Sequence, residues 1–149
     1  MVQKAIHRYA IVSHSCQEMY ALVSDVGAYA QFLPYCVSAE ILSTKGNIVH
    51  GQMVFSYFGL SYTVVTQNTM EPFGRIGLSL LQGDMQALEG QWLFRDMQDG
   101  HCRVSLDLAI DMHDGWTYRV INRILDRVAD TMVDRFVERA QQVYGLGEA

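Results

Sequence analysis

Tyr62, Thr66 and Asn68 fall at even spacings in one run of alternating residues, so a strand there turns three hydrogen-bonding groups onto the same apolar face as Val64. A buried amide or hydroxyl without a partner costs roughly 1 to 3 kcal/mol. Two arrangements meet that cost. The groups pair with one another, with water or with solvent at the strand end, or they recognise a ligand carbonyl. Arg135 and Arg139 pose the same question on a helix, because their helical angle sets them inside an apolar stripe beside Val128 and Met132. Either they snorkel past the sheet edge, or Arg135 stands at a pocket mouth and donates to a polar head group.

Motifs for catalysis are mostly missing. The chain has no G-x-S-x-G elbow, H-E-x-x-H, Walker A or G-x-G-x-x-G, and its five histidines are scattered singly. Glu89, Asp107 and Asp111 alternate with inward-facing residues and therefore point outward, so no carboxylate pair is aimed at the interior for acid/base work. No catalytic residue, metal site or required cofactor is expected. Three cysteines, Cys16, Cys36 and Cys102, lie far apart without a CxxC pair, which reads as reduced thiols used in core packing. The net charge of −5 excludes a broad nucleic-acid surface and DNA as a partner, since phosphate binding needs clustered Lys and Arg. A local contact through Arg119, Arg123 and Arg127 stays open.

The elements that must position these residues follow from periodicity. Residues 116–144 read as one long amphipathic helix: Ile121, Ile124, Leu125, Val128, Met132 and Phe136 fall within roughly 120° of arc. Asp126, Asp130, Asp134 and Glu138 share the opposite face with Arg119, Arg123 and Arg127, a solvated surface of mixed sign. Asp114 is the expected N-cap, and Gly145 and Gly147 the C-terminal stop. Strands are expected over 4–12, 36–44, 47–58, 61–70, 75–81, 87–96 and 101–111, with turns at Lys45-Gly46-Asn47, Gly59-Leu60, Glu71-Pro72-Phe73-Gly74, Gln82-Gly83-Asp84 and Asp99-Gly100. Ser15 to Glu18 matches a capping box that opens a short helix through about Ser24, and residues 26–33 form a second short helix ended by Pro34. The 149 residues carry no repeat or linker, so one domain spanning 1–149 is expected. Met1 to Lys4 leads into a strand pattern instead of an apolar leader, and no run approaches the ~18 apolar residues of a membrane span, which points to the cytoplasm.

Widths then suggest a pocket. About seven strands make a sheet about 29 Å across, whereas a helix with its side chains measures about 10 to 12 Å. Either curling and the two short helices cover the remainder, or a gap lined by Tyr, Trp, Phe and Met persists that fits an apolar ligand.

Four stretches carry a family resemblance: residues 15–23 (SCQEMYALV), 29–36 (YAQFLPYC), 88–94 (LEGQWLF) and 126–136 (DRVADTMVDRF). In order and spacing they resemble the coenzyme Q-binding, polyketide cyclase-like branch of the START superfamily, and the resemblance spans nearly the whole chain. It implies an α+β helix-grip (START-like, Bet v 1-like) fold: a curved antiparallel sheet of about seven strands around a long C-terminal helix, with two short helices after strand 1 and an internal cavity. Phe32, Leu33, Pro34 and Tyr35 match the family's segment after the second helix, read as a gate. Gly83-Asp84-Met85 stands where relatives commonly show Gly-Pro-Phe, so that loop is expected to be less rigid.

The family implies two roles of different class. One is non-enzymatic binding of ubiquinone or a similar isoprenoid lipid in support of respiration. Its tail would lie against Val64, Leu78, Trp92, Phe94, Leu106, Val128 and Met132, and its head near Asn68 or Arg135. Phe32, Leu33, Tyr35, Tyr57, Tyr62 and Thr66 complete the candidate ligand-binding set, and transient contact at the inner membrane is compatible with this role. The other is that of the bacterial ribosome-association toxins, which implies binding the large ribosomal subunit and blocking subunit joining; the short N-terminus and residues 138–144 look like that branch. A cyclase-like enzyme using Tyr57 or Tyr62 as an acid is a third reading, supported by fold analogy alone.

Overall fold

Capping chemistry opens the first helix. Ser15 Oγ accepts from the Glu18 amide at 3.1 Å and Glu18 Oε1 accepts from the Ser15 amide at 3.1 Å, the reciprocal pair of a capping box. The computed structural model describes residues 2–83, 85–112 and 116–145. It has the order β1 (Val2–Val12), α1 (Cys16–Ser24), a 3₁₀ segment (Val26–Gln31), β2 (Cys36–Lys45), β3 (Ile48–Tyr57), β4 (Leu60–Glu71), β5 (Arg75–Gln82), β6 (Ala87–Asp96), a 3₁₀ turn (Gln98–Gly100), β7 (Cys102–Met112) and α2 (Trp116–Tyr144). Gly145, at φ 91°, ends α2 by donating its amide to the Gln141 carbonyl at 2.9 Å. Asp84, Asp114 and Gly147 lie outside the described residues, as do the side chains of Ile121 and Asp130.

One antiparallel sheet of seven strands runs β1-β7-β6-β5-β4-β3-β2, leaving β1 and β2 as its edges. The β3–β4 turn departs from the expected Gly59-Leu60. Positive φ falls on Phe58 (49°) and Gly59 (79°), while Leu60 already pairs with Tyr57. A two-residue hairpin of this hand needs left-handed backbone at both centres, and here a phenylalanine supplies one of them. At Gly90 the strands come so close that an added Cβ would stand 2.0 Å from the Asp107 carbonyl oxygen. Register shifts between Cys36 and Ser38, between Ile41 and Ser43, and between Val65 and Thr66 bend the sheet around the helix. The last of these breaks strict alternation: Val64, Val65 and Thr66 are buried in succession.

The helix presents Ile124, Val128, Phe136 and Ala140 to the sheet, together with Val133, and all five are buried. Arg119, Arg123, Asp126, Arg127, Asp134 and Glu138 are exposed. Lys4 Nζ ties β1 to α2, donating to Asn122 Oδ1 at 3.1 Å and pairing with Asp126. Among the described residues no helix is long and apolar enough to cross a membrane.

Candidate ligand cavity

The interior is neither solid nor widely open. Two adjoining cavities, of about 90 and 100 Å³, remain between the sheet and α2. The inner one is walled by Gly51 and Met53 of β3, Val64, Thr66 and Asn68 of β4, Leu78, Leu88, Trp92, Leu106 and Leu108 of β5 to β7, and Met132 of α2. Val26 and Tyr29 of the 3₁₀ segment close it. The outer one is bounded by Phe55, Tyr62, Met85, Ile124, Leu125 and Val128. Met53, Val64, Leu88, Leu108 and Met132 line both, so they form the partition. Two of these five are methionines, unbranched side chains that change rotamer readily, and their movement would merge the spaces.

The short helices cover much of the sheet, and a gap persists as well. Each cavity is smaller than the ~150 Å³ space that takes up benzene, and well below the ~300 to 1,000 Å³ of drug-sized pockets. A long isoprenoid tail therefore needs the partition and a wall to move.

Polar groups gather at one end of the inner cavity. Thr66 Oγ1 donates to Asn68 Oδ1 at 2.7 Å, and both residues are buried. Among the described residues no hydrogen bond uses the Asn68 amide nitrogen. It lies 3.8 Å from the position a Cβ would take at Gly51, so the missing side chain leaves space beside a donor. The outer cavity is almost wholly apolar.

Of the residues named from sequence, Val64, Thr66, Asn68, Leu78, Trp92, Leu106 and Met132 line the inner cavity, and Tyr62 and Val128 the outer. Phe32, Leu33, Tyr35, Tyr57, Phe94 and Arg135 line neither. Phe32 instead packs edge-on against Phe136 with centroids 5.0 Å apart, Phe94 against Tyr20 at 5.5 Å, and Tyr35 against Tyr57 at 5.3 Å. Leu33 is buried in the main core. Arg135 does not stand at the mouth: it is exposed and pairs with Glu138 at 3.4 Å, one helical turn away. Arg139 is the snorkelling residue, donating to Gln31 Oε1 at 2.8 Å with its guanidinium 5.3 Å above the Phe32 ring.

The candidate set left out Met53, Phe55, Thr63, Leu88, Leu108, Ile124 and Leu125, which also line the cavities, and sequence reasoning missed Val26, Tyr29, Gly51 and Met85 as well. The 3₁₀ segment is too short for periodicity to orient, and Met85 lies in a loop. Gly51 was findable, because it shares the parity of Val49 and Met53 and so leaves its vacancy on the inward face.

Ionisable chemistry is sparse on these walls. Among the described lining residues, Tyr29 and Tyr62 alone carry an ionisable side chain. Burial, reinforced by Asp25 and Cys36, holds the Tyr29 phenol well above its ordinary range, and its hydroxyl donates to the Val23 carbonyl. Burial likewise raises Cys36, opposed by the contact of its thiol with the Ser38 carbonyl, and raises Cys102 beside Cys16. These groups are neutral at pH 7. Among the described residues no cluster of three or more His, Cys, Asp or Glu is placed to hold a metal.

Comparison with known proteins places this architecture. The family model for polyketide cyclase/dehydrase and lipid transport matches residues 12–137. The ribosome association toxin RatA of Vibrio cholerae is 32% identical over 142 residues, covering 95% of this chain and 99% of that protein. Among solved structures, the Zhui aromatase/cyclase from Streptomyces sp. R1128 superposes with a TM-score of 0.82 at 12% identity, covering 99% of this chain and all of that one (100%). A START superfamily protein from Mycobacterium smegmatis gives 0.76 at 17% identity, covering 93% and 98%. The fold is the helix grip of START-like proteins, and the chain belongs to the polyketide cyclase/dehydrase and lipid transport family.

Proposed function

We propose that this protein associates with the ribosome, on the large subunit, and that the association opposes joining of the two subunits. The observation that carries this reading is the end-to-end match to a ribosome association toxin, 95% of this chain against 99% of the relative at 32% identity. Cavities of about 90 and 100 Å³ are cramped for a long-tailed lipid, and their described walls carry neither carboxylate nor imidazole. Co-sedimentation with purified subunits through a sucrose gradient tests the proposal. Recovery of the protein with the large subunit, and a fall in the joined-particle peak on its addition, are the expected results; protein left entirely at the top of the gradient rejects it.

A second reading is favoured by the Asn68 side-chain nitrogen beside Gly51, which has no hydrogen-bond partner among the described residues. Under it, the inner cavity admits a small apolar group bearing a hydrogen-bond acceptor, such as the ring of ubiquinone or a related prenylated compound, after Met53 and Met132 move aside. Burial at about 25 cal/mol per Å² would drive entry. Mass spectrometry of a solvent extract of the purified protein tests it, and a reproducibly empty extract counts against it.

A further inference from the structure

The tip of the β3–β4 hairpin breaks the usual rules for a surface turn. Phe58 is 88% exposed and stands at φ 49°, a backbone region that bulky side chains seldom occupy. Leu60 follows at 40% exposure, and Val37 on the neighbouring strand β2 is 59% exposed. Beneath them Tyr57 stacks edge-on against Phe58, with centroids 4.6 Å apart, and against Tyr35. The Tyr35 carbonyl accepts from the Ser56 amide at 2.9 Å, fixing the two segments together. Neither residues 26–39 nor residues 51–70, which meet here, contain any Asp, Glu, Lys or Arg.

That absence is informative in a chain of net charge −5. Approach to a polyanionic particle is repelled by most acidic surfaces, and these two segments add nothing to the repulsion. They also offer no cation to a phosphate. The exposed arginines of α2 are less suited, since Arg119, Arg123 and Arg127 share their surface with exposed Asp126 and Asp134. We propose that the uncharged aromatic hairpin tip, Tyr57 to Leu60 with Tyr35 and Val37, is the docking surface of this protein, and that it seats on an apolar surface of a ribosomal protein instead of on RNA phosphates. The inference rests on the ribosome reading and names the face and the partner chemistry.

The sign of the salt dependence follows. Phosphate-driven binding loses orders of magnitude between about 50 and 200 mM salt. Apolar docking by an acidic protein is flat or slightly stronger over that range, because salt screens the residual repulsion.

The experiment compares wild type with Phe58→Asn, Leu60→Ser and, as a control at another exposed apolar site, Val143→Ser, using purified large subunits in sucrose-cushion sedimentation. Asparagine tolerates left-handed backbone better than phenylalanine, so Phe58→Asn is expected to fold at least as well, which circular dichroism and a melting curve check. Weakening of about tenfold or more for Phe58→Asn, less for Leu60→Ser and none for Val143→Ser, with flat salt dependence in wild type, is the expected pattern. Wild-type binding that Phe58→Asn leaves unchanged, or that falls steeply with salt, overturns the docking surface while leaving the ribosome reading standing. Absence of wild-type binding overturns both. Flotation of wild type, but not Phe58→Asn, with phosphatidylcholine vesicles in that last case would assign the tip to a membrane instead.

Discussion

The two halves of the interior are built from different side chains and reach different densities. Around Phe136, Tyr29, Phe32 and Trp92 meet it edge-on at centroid distances of 5.3, 5.0 and 5.2 Å, and Phe136 is 1% exposed. Across the partition the facing residues are Met53, Val64, Leu88, Leu108 and Met132, and two voids remain. Planar rings in edge-to-face contact span the distance from a curved sheet to a helix; aliphatic chains of lesser reach leave part of it empty. Trp92 stands at the boundary, with Phe136 on one side and the inner cavity on another. Stability is therefore concentrated in the aromatic half, and adaptability in the aliphatic half.

Phe136→Ala gives the largest expected effect. It removes the hub of three ring contacts from a site that cannot collapse easily, and a loss of about 3 to 5 kcal/mol is expected in urea denaturation. Met132→Ala should cost less, about 2 kcal/mol, because the side chain already faces void on one side and has fewer contacts to lose. Equal losses for the two would mean that the aliphatic half is as densely filled in solution as the aromatic half, and the contrast would fail.

Much of this division was legible in the residues themselves. Alternation in β7 orients Cys102, Val104, Leu106, Leu108 and Ile110 inward; four are buried and Leu108, half-buried, lines the cavities, while Ser105 of the opposite parity is buried too. The long helix has its expected bounds because an amphipathic stripe over eight turns leaves little ambiguity. Cavity size was not legible, since it depends on how far the bulges curl the sheet and on the rotamers of Met53 and Met132. Arg135 and Arg139 show a finer limit. Helical angle sets both near the apolar stripe, but the acid one turn away at Glu138 draws Arg135 outward, while Gln31 and the Phe32 ring receive Arg139.

Tyr29 joins the two halves, and pH tests its role. Its phenol, like those of Tyr20 and Tyr144 and the thiols of Cys36 and Cys102, titrates above its unfolded value, chiefly through burial. A raised value means that the unfolded chain releases its proton first. The associated stability is thus complete below the ordinary values of 9.0 for the thiols and 10.0 for the phenols, and is lost as pH rises beyond them. Denaturation midpoints should fall above about pH 9, with phenolate absorbance appearing together with unfolding. Tyr29→Phe should cost about 1 kcal/mol at neutral pH, because the Val23 carbonyl loses its donor, and should reduce the alkaline slope. Phenolate absorbance that precedes unfolding would show that the ring is less enclosed than its packing indicates.

The smallest expected change discriminates most finely, because it separates the two cavities from each other. A Cβ at Gly51 would lie 3.7 Å from Val26 Cγ1 and 3.8 Å from Asn68 Nδ2, ordinary contact distances, so Gly51→Ala enters existing space without pushing a neighbour. Replacing glycine within a strand also lowers the entropy of the unfolded chain, and the net expectation is a gain of up to about 0.5 kcal/mol. The inner cavity shrinks while the outer one, which Gly51 does not line, keeps its volume. Xenon, which occupies dry apolar cavities, reports the difference. Under pressure it should shift methyl resonances of Leu78 and Leu106 in wild type but much less in Gly51→Ala, while those of Ile124 and Leu125 respond equally in both. Loss of the response at all four positions would show that the methionine partition is open in solution and that the two voids act as one.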